Sequence, residues 1–157
     1  MNVAKVILDI QSNQFSNSLD FAILPGKTPQ VEFESEKNYE AEVGCVVVVP
    51  FGKQYKLGFV VDIVDESEIS RPANTLKALA CVVSESYFNK ETYEFAKFIS
   101  NKYICSVATS LRLFVPSGSM PRLKHVGEKW IASTHKYRIS DKNYTEKYIS
   151  KDFEEKD

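Results

Sequence analysis

The sequence predicts a mainly β fold: a small barrel-like domain with one carboxy-terminal α-helix, followed by a poorly structured tail. Three observations predict it. Short runs rich in β-branched residues, above all Val46–Val49 and Lys56–Val64, recur between turn-forming segments. A single stretch, residues 90–103, carries apolar residues at helical spacing. Beyond Tyr137 the chain is charged and has no apolar pattern to bury. With 157 residues, 43% hydrophobic and 12% aromatic, one domain can build its core without disulfides or metals.

Taken in order, residues 3–10 hold Val3, Val6, Ile7, Leu8 and Ile10 and form a first strand. The polar stretch 11–18 is a turn, and Leu19–Leu24 is a second short strand stopped by Pro25-Gly26. From Thr28 to Glu42 the charges of Glu32, Glu34, Glu36, Glu40 and Glu42 outweigh the alternation of Val31 and Phe33. That load favours an exposed loop over an edge strand. Val46–Val49 and Lys56–Val64 are strands joined by a Pro50-Phe51-Gly52-Lys53 turn. After a polar excursion through Pro72, Leu76–Val83 is a further short strand. Lys90–Tyr103 is a helix capped by Asn89 or Ser86, with Tyr93, Phe95, Ala96, Phe98, Ile99 and Tyr103 read as a core-facing stripe. Leu111–Pro116 is a short apolar element, and Ser117–Pro121 marks a boundary. Residues 117–157 then read as a linker with one apolar island, Lys129–Ala132, and a disordered charged tail from Ser140.

Composition narrows the function classes. No apolar run approaches the ~20 residues of a membrane span and no signal peptide opens the chain, which points to the cytoplasm. Cys45, Cys81 and Cys105 are far apart, with His125 and His135 as the histidines. No zinc spacing and no disulfide framework result, so free thiols and no metal are expected. Net charge is −1, so any DNA contact is local and pocket-like rather than a broad phosphate grip. No Gly-x-x-x-x-Gly-Lys-Ser/Thr loop is present to cradle ATP phosphates, which excludes P-loop chemistry from this chain; no cofactor is expected.

Four segments occur in a telling order: Val3–Val6, Leu19–Pro25, Val43–Lys53 and Leu76–Ala78. Over residues 3–116 the chain resembles the amino-terminal 3′-DNA-binding domain of the PriA family of replication-restart helicases (primosomal protein N′). The hydrophobic-Asp-aromatic-x-x-x-Pro element and the Val-Pro-Phe-Gly element carry the resemblance. It implies a small OB-like β-barrel, placed in residues 1–116, that binds the 3′ end of a nascent strand at a stalled fork during primosome assembly and replication restart. DNA is the implied partner, with other primosome proteins beside it. The acidic 30–42 stretch reads as an insertion relative to the family. The winged helix and helicase lobes of the family are not legible here beyond a faint first strand at Lys129–Tyr137. The chain therefore reads either as an amino-terminal fragment or as the shortened product of a decayed or frameshifted gene.

Alternation also places Asp20 on the face opposite Leu19 and Phe21, outward if those two face the core. A carboxylate there accepts a hydrogen bond from a terminal 3′-OH and repels a 3′-phosphate. The resemblance implies the same role for Asp20, with backbone groups of Leu19 and Phe21 lining a base slot. It gives Gly52 a close backbone approach to the nucleotide and gives Lys77 the terminal phosphate, with Lys53 as a secondary candidate. Leu19 stands where the family usually has an aromatic, Phe21 where it has tyrosine, and Ser106-Val107-Ala108 where Pro and Gly are common. Two other readings stand beside this one. The first is a protein-interaction module, or degenerate remnant of the same fold, that has lost DNA binding and uses the acidic 32–42 loop. The second is a metal-dependent nuclease built on Asp9, Asp20, Asp62 and Asp65, whose spacing follows no ligand pattern.

Overall fold

The structure, a computed structural model, describes residues 1–10, 17–24, 31–34 and 38–133. Strands β1 (Asn2–Leu8), β2 (Leu19–Ala22), β3 (Val31–Phe33), β4 (Val46–Phe51) and β5 (Gln54–Asp65) come first. Two single 3₁₀ turns, Glu66–Glu68 and Ala73–Thr75, lead to β6 (Cys81–Val82), and then come α1 (Lys90–Tyr103), α2 (Val107–Arg112), β7 (Arg122–Val126) and β8 (Lys129–Ser133). The expected fold class holds: the molecule is mostly β, with its helical part on the carboxy-terminal side. The calls on Pro25-Gly26 and on the charged tail fall outside the described residues, as does most of the 11–18 turn.

The main sheet has the order β2-β1-β5-β4-β6. Its strands read as continuous apolar runs because both faces are covered. Val46 and Val48 of β4, with Phe59 and Val61 of β5 and Ile7 of β1, point to one cluster, which Ala96 of α1 and Val107, Ala108 and Leu111 of α2 complete. Val47, Val49, Val60, Ala4, Val6, Leu8 and Phe21 point to the other. That second cluster is the inside of a curled sheet. The segment Lys77–Val83 joins its two edges: Ala22 of β2 bonds to Lys77 and Leu79 at one end, and Val48 and Val46 of β4 accept from Ala80 and Val83 at the other. The closure is OB-like but is a parallel bridge, Ala22 to Ala78, rather than a continuous ladder. Leu76–Val83, expected as one strand, is a strand only at Cys81–Val82.

One glycine makes the layering feasible. Gly44 sits at φ +95°, and a Cβ there would lie 1.9 Å from the Phe88 carbonyl oxygen. The chain thus passes directly under the lead-in to α1, with the Tyr87 N–H donating to the Gly44 carbonyl at 2.9 Å.

Four expectations are corrected. The acidic stretch expected as a loop contributes β3, which pairs in parallel with β8, and Lys129 reaches Glu32 at 2.6 Å across that junction. β7 and β8 form a hairpin, where the sequence suggested one isolated strand, and Ala132 of β8 is fully buried in the core. A second helix, α2, precedes Leu113–Pro116, where only a short apolar element was expected. Ser106 caps it, accepting from the Thr109 N–H at 3.1 Å. The α1 stripe is not a core face: Phe95, Phe98 and Tyr103 are exposed and Ala96 is the buried residue of that helix. The helix itself runs as expected from Lys90 to Tyr103, with Asn89 capping it through the Thr92 N–H at 2.9 Å.

Candidate nucleic-acid interface

Asp20 lies on β2, directly opposite Lys5 of β1. Phe21, its neighbour, is buried inside the curled sheet, so alternation turns Asp20 to the sheet's other face, where its side chain is one-fifth exposed. Its Oδ1 accepts from Lys5 Nζ at 3.1 Å, and both side chains are part-exposed. Leu19 does not face the core: at the start of the strand it is 36% exposed. Phe21 therefore presents no side chain to a ligand, whereas the side chain of Leu19 is accessible.

The peptide groups are also oriented. Ile23 N–H donates to the Asn2 carbonyl across the β1–β2 pair, while Ala22 bonds the other way, to Lys77 and Leu79. In an antiparallel ladder this alternates, so Asp20, two residues before Ala22, turns its N–H and C=O to the same outer edge that Lys77 borders. The carbonyl of Lys77 accepts from Ala22 N–H at 2.9 Å, and the Lys77 side chain is exposed. Asp20, Phe21 and Lys77 are thus brought together by backbone hydrogen bonds between segments far apart in sequence.

Gly52 and Lys53 form a two-residue loop between the paired Phe51 and Gln54. Gly52 has φ +61° and Lys53 does not have positive φ, the pattern of a II′ hairpin turn, which places glycine first. Nothing lies within 4 Å of where a Cβ of Gly52 would be, so the backbone there is open to close approach. Because β6 runs antiparallel to β4, the residues before Cys81 lead back toward the Phe51 end of β4. Lys77 accordingly lies toward the turn that carries Gly52 and Lys53.

Sequence reasoning missed Lys5. Its only signal was a lone cation within Val-Ala-Lys-Val-Ile-Leu, a strand whose other members from Val3 to Leu8 are buried.

The other aspartates are dispersed and paired. The Asp9 carboxylate, nearly buried, holds Arg112 of α2 in a two-point bridge, and this hydrogen bond raises the Arg112 pKa further. Asp62 accepts from the Ile63 N–H and from Lys90. Asp65 takes part in the 3₁₀ cap with Glu68. Among the described residues no group of three or more His, Cys, Asp or Glu is placed to hold a metal, and no helix is long and apolar enough to cross a membrane. Cys45, Cys81 and Cys105 are free thiols, and burial pushes Cys45 up to about 11.

No curated protein matches the chain. The family described as the 3′DNA-binding domain (3′BD) of PriA matches residues 5–116, a span that contains Asp20, Gly52 and Lys77 together with both helices. This chain belongs to the PriA 3′-DNA-binding domain family.

Proposed function

We propose that this domain captures the 3′-OH end of a nascent DNA strand at a stalled replication fork, in primosome assembly and replication restart, and that this chain does so by recognition alone, without helicase activity. The observation that supports it most directly is Asp20, an outward carboxylate whose own peptide groups face the edge bordered by Lys77. In this reading the terminal ribose hydroxyl donates to Asp20, and a charged acceptor of this kind contributes about 1.5–3 kcal/mol. Leu19 and Phe21 frame the base slot; their own peptide groups pair with β1, so the main-chain groups offered to the base are those of Asp20, which accept any base. Lys77 meets the terminal phosphate, and the Gly52 backbone closes over the nucleotide with Lys53 beside it. All six residues lie within residues 1–116, to which we assign the function. DNA is the partner, and other primosome proteins are the further partners this role requires.

The test is fluorescence anisotropy on partial-duplex DNA ending in 3′-OH or in 3′-phosphate, with Asp20→Ala in parallel. A 3′-OH preference of roughly tenfold or more that Asp20→Ala abolishes is the expected result. Equal binding of both ends by the wild type would sink the mechanism. It would favour instead a protein-interaction module, the reading to which the exposed Phe95, Phe98 and Tyr103 of α1 lend weight.

A further inference from the structure

We infer that Lys5 is a positioning residue for 3′-end recognition, holding the Asp20 carboxylate by one oxygen and leaving the other for the terminal hydroxyl. This rests on the proposed role of Asp20 and adds a residue to it.

Three observations converge on Lys5. The Asp20 bridge is made to Oδ1 at 3.1 Å, and among the described residues no donor is hydrogen-bonded to Oδ2. The two residues are direct cross-strand partners, and Asp20 stands at a pair whose peptide groups point away from each other. In such pairs the side chains approach most closely.

The third observation lies on the other side of Lys5. The β1–β5 register slips between Lys5 and Val6: Lys5 opposes Asp62, Val6 opposes Val60, and Val61 is the extra residue of a β-bulge. The bulge sets Asp62 level with Lys5, making a row Asp20, Lys5, Asp62 across three strands, with Lys90 beyond it. Asp62 does not bridge to Lys5: its Oδ1 accepts from the Ile63 N–H at 2.9 Å and its Oδ2 from Lys90 at 3.2 Å, while Lys5 bridges to Asp20. Lys5 is thereby left to Asp20.

A single part-buried ion pair of this kind contributes on the order of 1 kcal/mol to stability. Its consequence is orientation and charge. A lone carboxylate swings between rotamers and repels the phosphates that accompany a terminal nucleotide. One bridged to an ammonium has a fixed free oxygen and a neutralised field toward those phosphates.

The experiment compares Lys5→Met, which keeps the apolar stem and removes the charge, with Lys5→Arg. Both are measured alone and in the Asp20→Ala background, beside the wild type, using anisotropy on partial-duplex DNA ending in 3′-OH or in 3′-phosphate, with thermal melts in parallel. The expected result is a loss of about tenfold in affinity for Lys5→Met, near-retention for Lys5→Arg, and no further loss when Lys5→Met is added to Asp20→Ala. The melting temperatures should stay together. A wild type that prefers 3′-OH ends, paired with a Lys5→Met variant that binds equally well, would overturn the inference and leave the Asp20 role standing. An equal loss in both backgrounds would also overturn it, since Lys5 would then act on DNA independently of Asp20. A wild type with no 3′-OH preference would overturn both.

Discussion

Gly52→Ala separates the cost of folding the β4–β5 turn from the cost of letting a nucleotide approach it. In the free protein the added methyl meets nothing within 4 Å, so the penalty is confined to the backbone. At φ +61° in the first central position of a II′ turn an L-residue costs about 1–3 kcal/mol relative to glycine. The lower entropy of the unfolded alanine chain returns about 0.4–1 kcal/mol of that. The net loss is about 1–2 kcal/mol, which for a chain of this length lowers the melting temperature by roughly 2–8 °C. Binding should suffer more. If the turn backbone packs against the terminal nucleotide, a methyl at that surface displaces it and weakens 3′-OH DNA binding by about tenfold or more. Anisotropy and thermal melts on the same preparation read the two effects together. Unchanged affinity beside a small melting shift would refute the close approach at Gly52. A fall of more than about 10 °C would refute the geometry, because it would mean that the turn is crowded.

Gly44→Ala is the opposite case: its Cβ would lie 1.9 Å from the Phe88 carbonyl oxygen, at φ +95°. A loss of more than about 3 kcal/mol is expected in urea unfolding, and a loss under about 1 kcal/mol would contradict the packing of this passage under α1. Ile104 closes α1 in the left-handed region (φ 51°, ψ 49°), an unfavourable place for a β-branched residue, and it is 84% exposed. Ile104→Gly should therefore raise stability by up to about 1 kcal/mol, and a lower melting temperature would refute the strain. Burial raises the Cys45 thiol from 9.0 to about 11, so the unfolded chain ionises first. Stability is then full below pH 9 and falls as pH rises toward 11, by about 1.4 kcal/mol at pH 10. Urea midpoints from pH 7 to 10.5 should show this slope in the wild type and lose it in Cys45→Ala; equal slopes would refute the assignment.

What was legible in the sequence was what short-range physics specifies. The extent of α1 was legible because its spacing runs through about four turns, with Asn89, one of two candidate caps, supplying its start. β1, β4 and β5 were legible as apolar β-branched runs. Asp20 was legible as outward-facing because alternation needs only its neighbour Phe21. The rest depends on partners distant in sequence. α2 is six residues long, too short for periodicity to show, and is held by Leu111 in the core and by the Arg112–Asp9 bridge. β3 is three residues long, and its partner β8 lies about a hundred residues on, so its charges outweighed its two apolar anchors in any local reading. The α1 aromatics show the limit of pattern alone: spacing identifies a face but not whether anything covers it.

The same distinction governs the candidate site. Asp20, Lys5, Lys77 and the Gly52 turn belong to separate strands and loops, and no local motif contains more than two of them. Their association depends on curvature. β2 and β4 are opposite arms of the sheet, and they meet only because Lys77–Val83 spends its first residues bonded to Ala22 and its last bonded to β4. The bridge to Ala22 uses backbone atoms alone, so the spacing between Asp20 and the Lys77 main chain is independent of the side chain at 77. The charge at Lys77 can therefore vary without moving this backbone frame, whereas on the inference above the orientation of Asp20 would depend on the charge at Lys5. The proposed site would separate its frame, which is peptide hydrogen bonding, from its discrimination, which we assign to one carboxylate and the ammonium that holds it.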